Sequence, residues 1–169
     1  MPTATDEKIV RTMTGRGIGF VTSVPCKQLA GVIARVDETD ALRHVPATRE
    51  DEGMGLCAGA FMGGLRPMIL MQNTALGVTV NALATLVQFY QFPLPMLISY
   101  RGEVGEKVAC QVEMATHSKA LLAQLGIPTY HFHTAAQVAE LGGIIEHSFM
   151  ASKPVAILAD AAFWAGAAP

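Results

Sequence analysis

Three apolar runs decide most of what this chain can fold into: "PMILMQN" (67–73), "PMLISY" (95–100) and "PVAILAD" (154–160). Each has the length of a strand and no alternation of apolar with polar residues, so both of its faces must be covered. Around them run segments of helical period. "DEKIVRTMTGRG" is stopped by Gly15 and Gly17, and apolar residues recur at Leu29, Val32, Ile33 and Val36. Helices on both faces of a parallel sheet satisfy the two patterns together.

The remaining segments complete that reading. "IGFVTSV" (18–24), "LRHVPATR" (42–49) and "PTYHFH" (128–133) add three further strands, the second placed at an edge by Pro46. Further helices are predicted over 50–64, over 75–92 up to the stop at Pro93, over 115–126 and over 134–151. Residues 101–112 read as a loop, and the tail "AAFWAGAAP" as loosely held or packed on a partner. The fold expected is α/β, a doubly wound, mostly parallel six-stranded sheet in a single domain over 1–169. Ligands of such folds sit beyond the C-terminal strand ends. "SVPCK", "TREDE", "MQNTALG" and "SYRGEVGE" each follow a proposed strand, and so converge on one rim.

Composition excludes several function classes. Half the residues are hydrophobic, 15% are charged and the net charge is −2 without a basic block, which leaves nucleic acid nothing to hold. No apolar run reaches the roughly 18–20 residues that span a bilayer, and the charged N-terminus lacks the apolar stretch of a signal peptide. Cys26, Cys57 and Cys110 are odd in number and widely spaced, as for reduced thiols. A cytoplasmic, assembly-prone domain is the expectation.

Glu50, Asp51 and Glu52 open the glycine- and alanine-rich segment "GMGLCAGAFMGG". Acids at a helix start complement the helix dipole, which accounts for Glu50 and Asp51. Glu52 has a second reading. A carboxylate set against so apolar a surface would be desolvated and disposed to share a proton near neutrality. A metal triad lacks a third ligand at helical spacing. Gln72, Asn73 and Thr74 stand at a strand tip, where Thr74 serves equally as a cap or as a site residue. Arg101 follows a buried strand and suits bidentate binding of an anion, while Glu103 and Glu106 read as a solvated loop. Cys26 reads first as a small buried thiol, since no histidine is placed to activate it. His131 and His133 share one strand face, but zinc would need further ligands from elsewhere, so no metal ligand is assigned.

Read in order, "SVPCK", "TREDEGMGLCAGAFMGG", "MQNTALGVTVNALATL" and "ISYRGEVGEK…Q…H…LLAQLGIP" resemble the sulfopyruvate decarboxylase α-subunit family, over about residues 5 to 160. They are also similar to the N-terminal half of phosphonopyruvate decarboxylases. The resemblance implies the pyrimidine-binding domain of a thiamine diphosphate enzyme. It implies that Glu52 hydrogen-bonds N1′ of the aminopyrimidine, favouring the imino tautomer that deprotonates the thiazolium. It places Gln72, Asn73 and Thr74 beside the cofactor, and Arg101, Lys27, Cys26 and His117 beside a small anionic 2-keto acid. The GDG motif that holds diphosphate through Mg²⁺ in this family occurs nowhere in the chain. A pyrophosphate-binding β subunit that holds the diphosphate and Mg²⁺, in an α2β2 or α4β4 assembly, is therefore expected. The reaction implied is conversion of 3-sulfopyruvate to sulfoacetaldehyde and CO2. Decarboxylation or carboligation of another 2-keto acid such as phosphonopyruvate, and a non-catalytic binding domain, are the alternatives.

Overall fold

The computed structural model describes residues 2–166. Its elements, in chain order, are α1 (Ala4–Gly15), β1 (Ile18–Ser23), α2 (Ala30–Asp37), β2 (Arg43–Pro46), α3 (Glu50–Met62), β3 (Arg66–Gln72), α4 (Leu76–Ala82), β4 (Leu94–Ser99), α5 (Ala109–Gln124), β5 (Thr129–Phe132), α6 (Val138–Ala151), β6 (Pro154–Ala159) and α7 (Ala161–Gly166). Short 3-10 turns precede α4 and α6, and a π-helical segment, Leu83–Gln88, continues α4. The six strands form one sheet in the order β2-β1-β3-β4-β6-β5, and every pairing is parallel.

Side-chain alternation splits the interior into two layers. Met68 and Leu70 of β3 enter one layer with Ile9, Met13, Val32 and Ile145; Ile69 and Met71 enter the other with Met54, Cys57, Leu76 and Leu83. The first layer is built on α1, α2, α6 and α7, the second on α3, α4 with its π segment, and α5. Small residues set the approach of α3 to the sheet. A Cβ on Gly53 would stand 3.0 Å from Ile69 Cδ1 and 3.4 Å from Thr22 Cγ2, so this turn lies against β1 and β3.

The edge strand β2 is fixed partly by polar side chains. Ser23 Oγ lies 2.8 Å from His44 Nε2, and His44 Nδ1 lies against the Asp37 carboxylate. The order of partners is that of a nucleophile triad, but Ser23 is buried, at 2% exposure. Its role is to tie β1 and the end of α2 to β2.

Three expectations are corrected. The helix predicted over 75–92 is not one α-helix, because the backbone widens to π geometry at Leu83 and ends before Pro93, with Gln91 at φ 56°. The loop predicted over 101–112 ends at Val108, since α5 begins at Ala109. The tail is held by the chain's own core: Phe163 is fully buried against Phe132, and Trp164 Nε1 donates to Ala159 O at 3.0 Å. Residues 167–169 of that tail lie outside the described residues. Among the described residues no helix is long and apolar enough to cross a membrane.

Candidate active site

The C-terminal strand ends gather most of the residues singled out by sequence, in three groups. The first is a polar network at the ends of β1, β3 and β4. Cys26 Sγ lies 3.0 Å from Ser99 Oγ and 3.6 Å from Gln72 Oε1. Gln72 Nε2 donates to Thr74 Oγ1 at 2.6 Å and to Gln111 Oε1 at 2.8 Å. Cys26, Gln72 and Thr74 therefore belong together, and Ser99 and Gln111, which stand in the motif "ISYRGEVGEK…Q…H" but were assigned no role from sequence, join them.

Asn73 is fully buried beside that network and acts as a clamp. Its Oδ1 accepts from Arg101 N at 2.9 Å, while Nδ2 donates to Arg101 O at 2.9 Å and to Ser118 Oγ at 3.1 Å. With all three amide positions engaged, Asn73 fixes the β4 exit against the β3 exit.

The second group is the loop that this clamp begins. Arg101 donates through Nε and Nη2 to both oxygens of Glu106, at 2.7 and 2.6 Å. The same carboxylate accepts from the backbone N–H groups of Gly102, Lys107 and Val108. Arg101 and those N–H groups hold the Glu106 carboxyl well below its usual range, at about 2. The expectation of a solvated Glu106 is corrected, since its side chain is only 7% exposed. Arg101, expected to reach an anion, has its bidentate fork closed on this residue. Gly102 is required at the bend: its φ is +98°, and a Cβ would stand 2.1 Å from Gln111 O. Lys27 is exposed and lines, with Tyr100, Arg101, Glu106 and Asp160, a cavity of about 990 Å³.

The third group is Glu52 and its helix. Arg49, outside the helix start, pairs with Asp51 through two contacts of 3.0 Å, and that hydrogen-bonded guanidinium holds the Asp51 carboxyl below its ordinary range. Glu52 stays without a cationic partner among the described residues. Its Oε2 accepts from Thr48 N at 2.9 Å, and Oε1 has no hydrogen bond among the described residues. Glu52 is exposed, so the desolvation expected from sequence is not supplied by this chain. The residues beside it, Gly55, Leu56, Gly59, Ala60 and Gly63, floor an open groove of about 570 Å³ that Phe20, Arg43 and Leu65 complete.

Among the described residues no hydrogen bond or ion pair joins Glu52 to the other two groups, and His117 stands apart, exposed on α5. The structure thus brings Cys26, Gln72 and Thr74 together and puts Lys27 and Arg101 on a second cavity. Glu52 faces outward from a third position.

Comparison with known proteins follows the same lines. The chain is 38% identical over 159 residues to the sulfopyruvate decarboxylase subunit alpha of Methanococcus maripaludis, covering 94% of this chain and 95% of that one. It is 41% identical over 165 residues to the protein of the same name from Methanothermobacter thermautotrophicus, covering 97% and 100%. Among solved structures, the thiamine diphosphate-dependent 4-hydroxybenzoylformate decarboxylase of Rhodococcus jostii shares the fold with a TM-score of 0.69 at 15% identity, over 97% of this chain and 31% of that one. No protein-family model matches.

Proposed function

Since the chain belongs to the sulfopyruvate decarboxylase α-subunit family, we propose that it is the pyrimidine-binding half of a thiamine diphosphate-dependent decarboxylase acting on 3-sulfopyruvate. The observation that carries the proposal is Glu52. One of its oxygens is unengaged, at the mouth of a groove where a Cβ on Gly55 or Gly59 would meet nothing within 4 Å. A flat heteroaromatic ring fits such a floor, with its ring nitrogen on the carboxylate. A diphosphate with Mg²⁺ does not fit as well: the GDG motif is absent from the chain, and in the glycine-containing loop after β4 the Glu106 carboxylate is already taken by Arg101 and backbone N–H groups. The partner subunit supplies that half of the site.

The chain's own residues then divide the work. Glu52 holds a proton at the ring nitrogen and gains the desolvation it lacks here when the partner closes the groove. Gln72 and Thr74 present amide and hydroxyl groups from the β3 exit, and Cys26 and Ser99 pack beneath them. The Arg101–Glu106 clasp fixes the loop beside the large cavity, leaving Lys27 and Lys107 on its wall as cations without an ion pair among the described residues, of which Lys27 takes the sulfonate of the substrate. When bound, thiamine diphosphate supplies the electron sink that lets a 2-keto acid lose carbon dioxide. Mg²⁺ and the diphosphate stay with the partner.

The test is co-expression with a subunit carrying a GDG motif and its downstream Asn, followed by assays with thiamine diphosphate and Mg²⁺. Carbon dioxide release from 3-sulfopyruvate, faster than from phosphonopyruvate and absent with either subunit alone, is the expected result. Turnover by this chain alone would overturn the division of the site.

A further inference from the structure

One cluster on the rim has been given no role so far, although its Asp160 also lines the large cavity beside Lys27 and Arg101. His131 at the end of β5, His133 just beyond it and Asp160 just beyond β6 bring two imidazole nitrogens and a carboxylate oxygen within 4.8 Å of one another. Both nitrogens face the same oxygen. His133 Nδ1 is hydrogen-bonded to Asp160 Oδ2, and His131 Nε2 lies 3.4 Å from it. We propose that His131, His133 and Asp160 form a mononuclear site for a borderline transition-metal dication of the zinc or cobalt(II) kind, with a coordination position open to solvent.

Geometry comes first. Ligand atoms about 2.0–2.2 Å from a tetrahedral ion stand roughly 3.3–3.5 Å apart. The His131–Asp160 pair already has that separation. His133 supplies the remaining adjustment: its side chain is 57% exposed, and its ring has to swing only out of its hydrogen bond to Asp160. The same exposure gives an ion its entry path.

An orphaned atom comes second. The His133–Asp160 hydrogen bond satisfies those two residues, but His131 Nε2 is buried without a hydrogen-bond partner among the described residues, since its 3.4 Å contact does not line up as one. A buried polar atom left unpaired is costly, and a bound cation is the partner this nitrogen lacks.

The supporting bonds are those of a prepared site. Asp160 Oδ1 accepts from Phe163 N at 2.9 Å, which leaves Oδ2 turned to the imidazoles. Gln137 grips the strand end behind them: Oε1 accepts from His133 N and Thr134 N, and Nε2 donates to His131 O. The edge of the Tyr100–His131 ring pair, with centroids 5.3 Å apart, limits the first imidazole further. Outer contacts of this kind tune ligand orientation and metal affinity. Lys119 is the nearby cation, and its ammonium is drawn to Glu103 at 3.8 Å and to the face of Tyr100 at 4.8 Å. Two imidazoles with one carboxylate suit zinc, cobalt or nickel rather than magnesium, so this site differs in kind from a diphosphate-bound Mg²⁺.

The test uses the full chain stripped with a chelator, loaded with Zn²⁺, dialysed and analysed for metal, with Co²⁺ titration followed by its visible absorption bands. About one ion per chain and the intense Co²⁺ bands of a four-coordinate site are expected. Asp160→Asn keeps the oxygen that caps α7, and His133→Ala alters an exposed ring; circular dichroism confirms that each is folded. Either should weaken binding by about 100-fold or more. No retained metal in the wild-type chain would refute the site. Equal retention by the two variants would also refute it, and would assign the metal to a thiol such as Cys110.

Discussion

The two helical layers that sandwich the sheet are finished to different degrees. On the α1/α2/α6/α7 side, the outer surface is charged and cross-linked: Glu7 meets Arg11 and Arg35, Arg35 meets Glu38, and Arg66 reaches Glu146 while stacking on Phe149. On the α3/α4/α5 side the outer surface is apolar. Met62, Leu65, Val78, Phe89, Tyr90 and Val112 are exposed there, and Val104 and Val108 on the loop leading into α5, whereas the first layer exposes Met150. The sequence between Glu52 and Arg101 contains one charged residue, Arg66. One layer is complete in the monomer; the other has the composition of a surface made to be covered. Glu52 sits at the edge of the open one.

The largest effect separates that carboxylate from the layer around it. Glu52→Gln in the assembled enzyme should lower turnover by about 10³-fold or more if proton sharing at the cofactor is its task. Binding to the partner should be unchanged, because the substitution removes a charge without altering shape. Decarboxylase assays paired with gel filtration check both. Retained turnover would remove Glu52 from the chemistry and reduce the open layer to an interface.

Next comes the closed layer. Leu70→Ala deletes a fully buried side chain among Met13, Val32 and Ile157, and should cost about 2–5 kcal/mol in urea unfolding of the isolated chain. The opposite expectation holds for Gly59 on α3. Its Cβ direction is empty, so Gly59→Leu should leave the isolated chain as stable or up to about 1 kcal/mol more stable, through helix propensity. The same substitution should abolish association with the partner, read by co-purification. If association survives, the groove is not covered and the contrast between the layers fails.

How much of this was legible in the sequence follows the same division. The strands β3, β4 and β6 were readable because burial on both faces forces an unbroken apolar run. The weaker strands β2 and β5 were readable only from their flanking turns. The rim residues at strand ends were legible as well, since parallel topology fixes their address. Partners were not. Nothing local marks Glu106 as the residue that closes on Arg101; the pair forms because Gly102 and Gly105, at φ +98° and +94°, turn the chain back on itself. Asp160 was hidden for the same reason: it meets His131 and His133 only because β5 and β6 are neighbours at the sheet edge. The break to π geometry at Leu83 has no evident cause in the residue types there.

Openness of the second layer is not looseness, and the loop that leads into α5 gives the smallest and most local test of that distinction. Val104 and Val108 are exposed on it, yet Glu106 within it is half-buried and accepts from five N–H groups. Its carboxyl is held at about 2 against an ordinary 4.5, first by the hydrogen-bonded Arg101 guanidinium, with the Val108 and Lys107 N–H groups adding to it against partial burial. A folded-state value below the unfolded one means that the clasp contributes fully above about pH 4.5 and is lost as pH falls through about 2. Amide exchange at Lys107 and Val108, corrected for intrinsic rates, should therefore show constant protection from neutral pH down to about 4.5 and a progressive loss below it. Glu106→Gln should lower that protection above about pH 4.5, because the neutral amide keeps an acceptor but loses the charge that binds Arg101, and the difference from wild type should close as pH falls towards about 2. Protection lost already near neutrality would mean that the loop is held by a covering partner rather than by its own carboxylate, and that the open layer is unfinished in its backbone as well as in its surface.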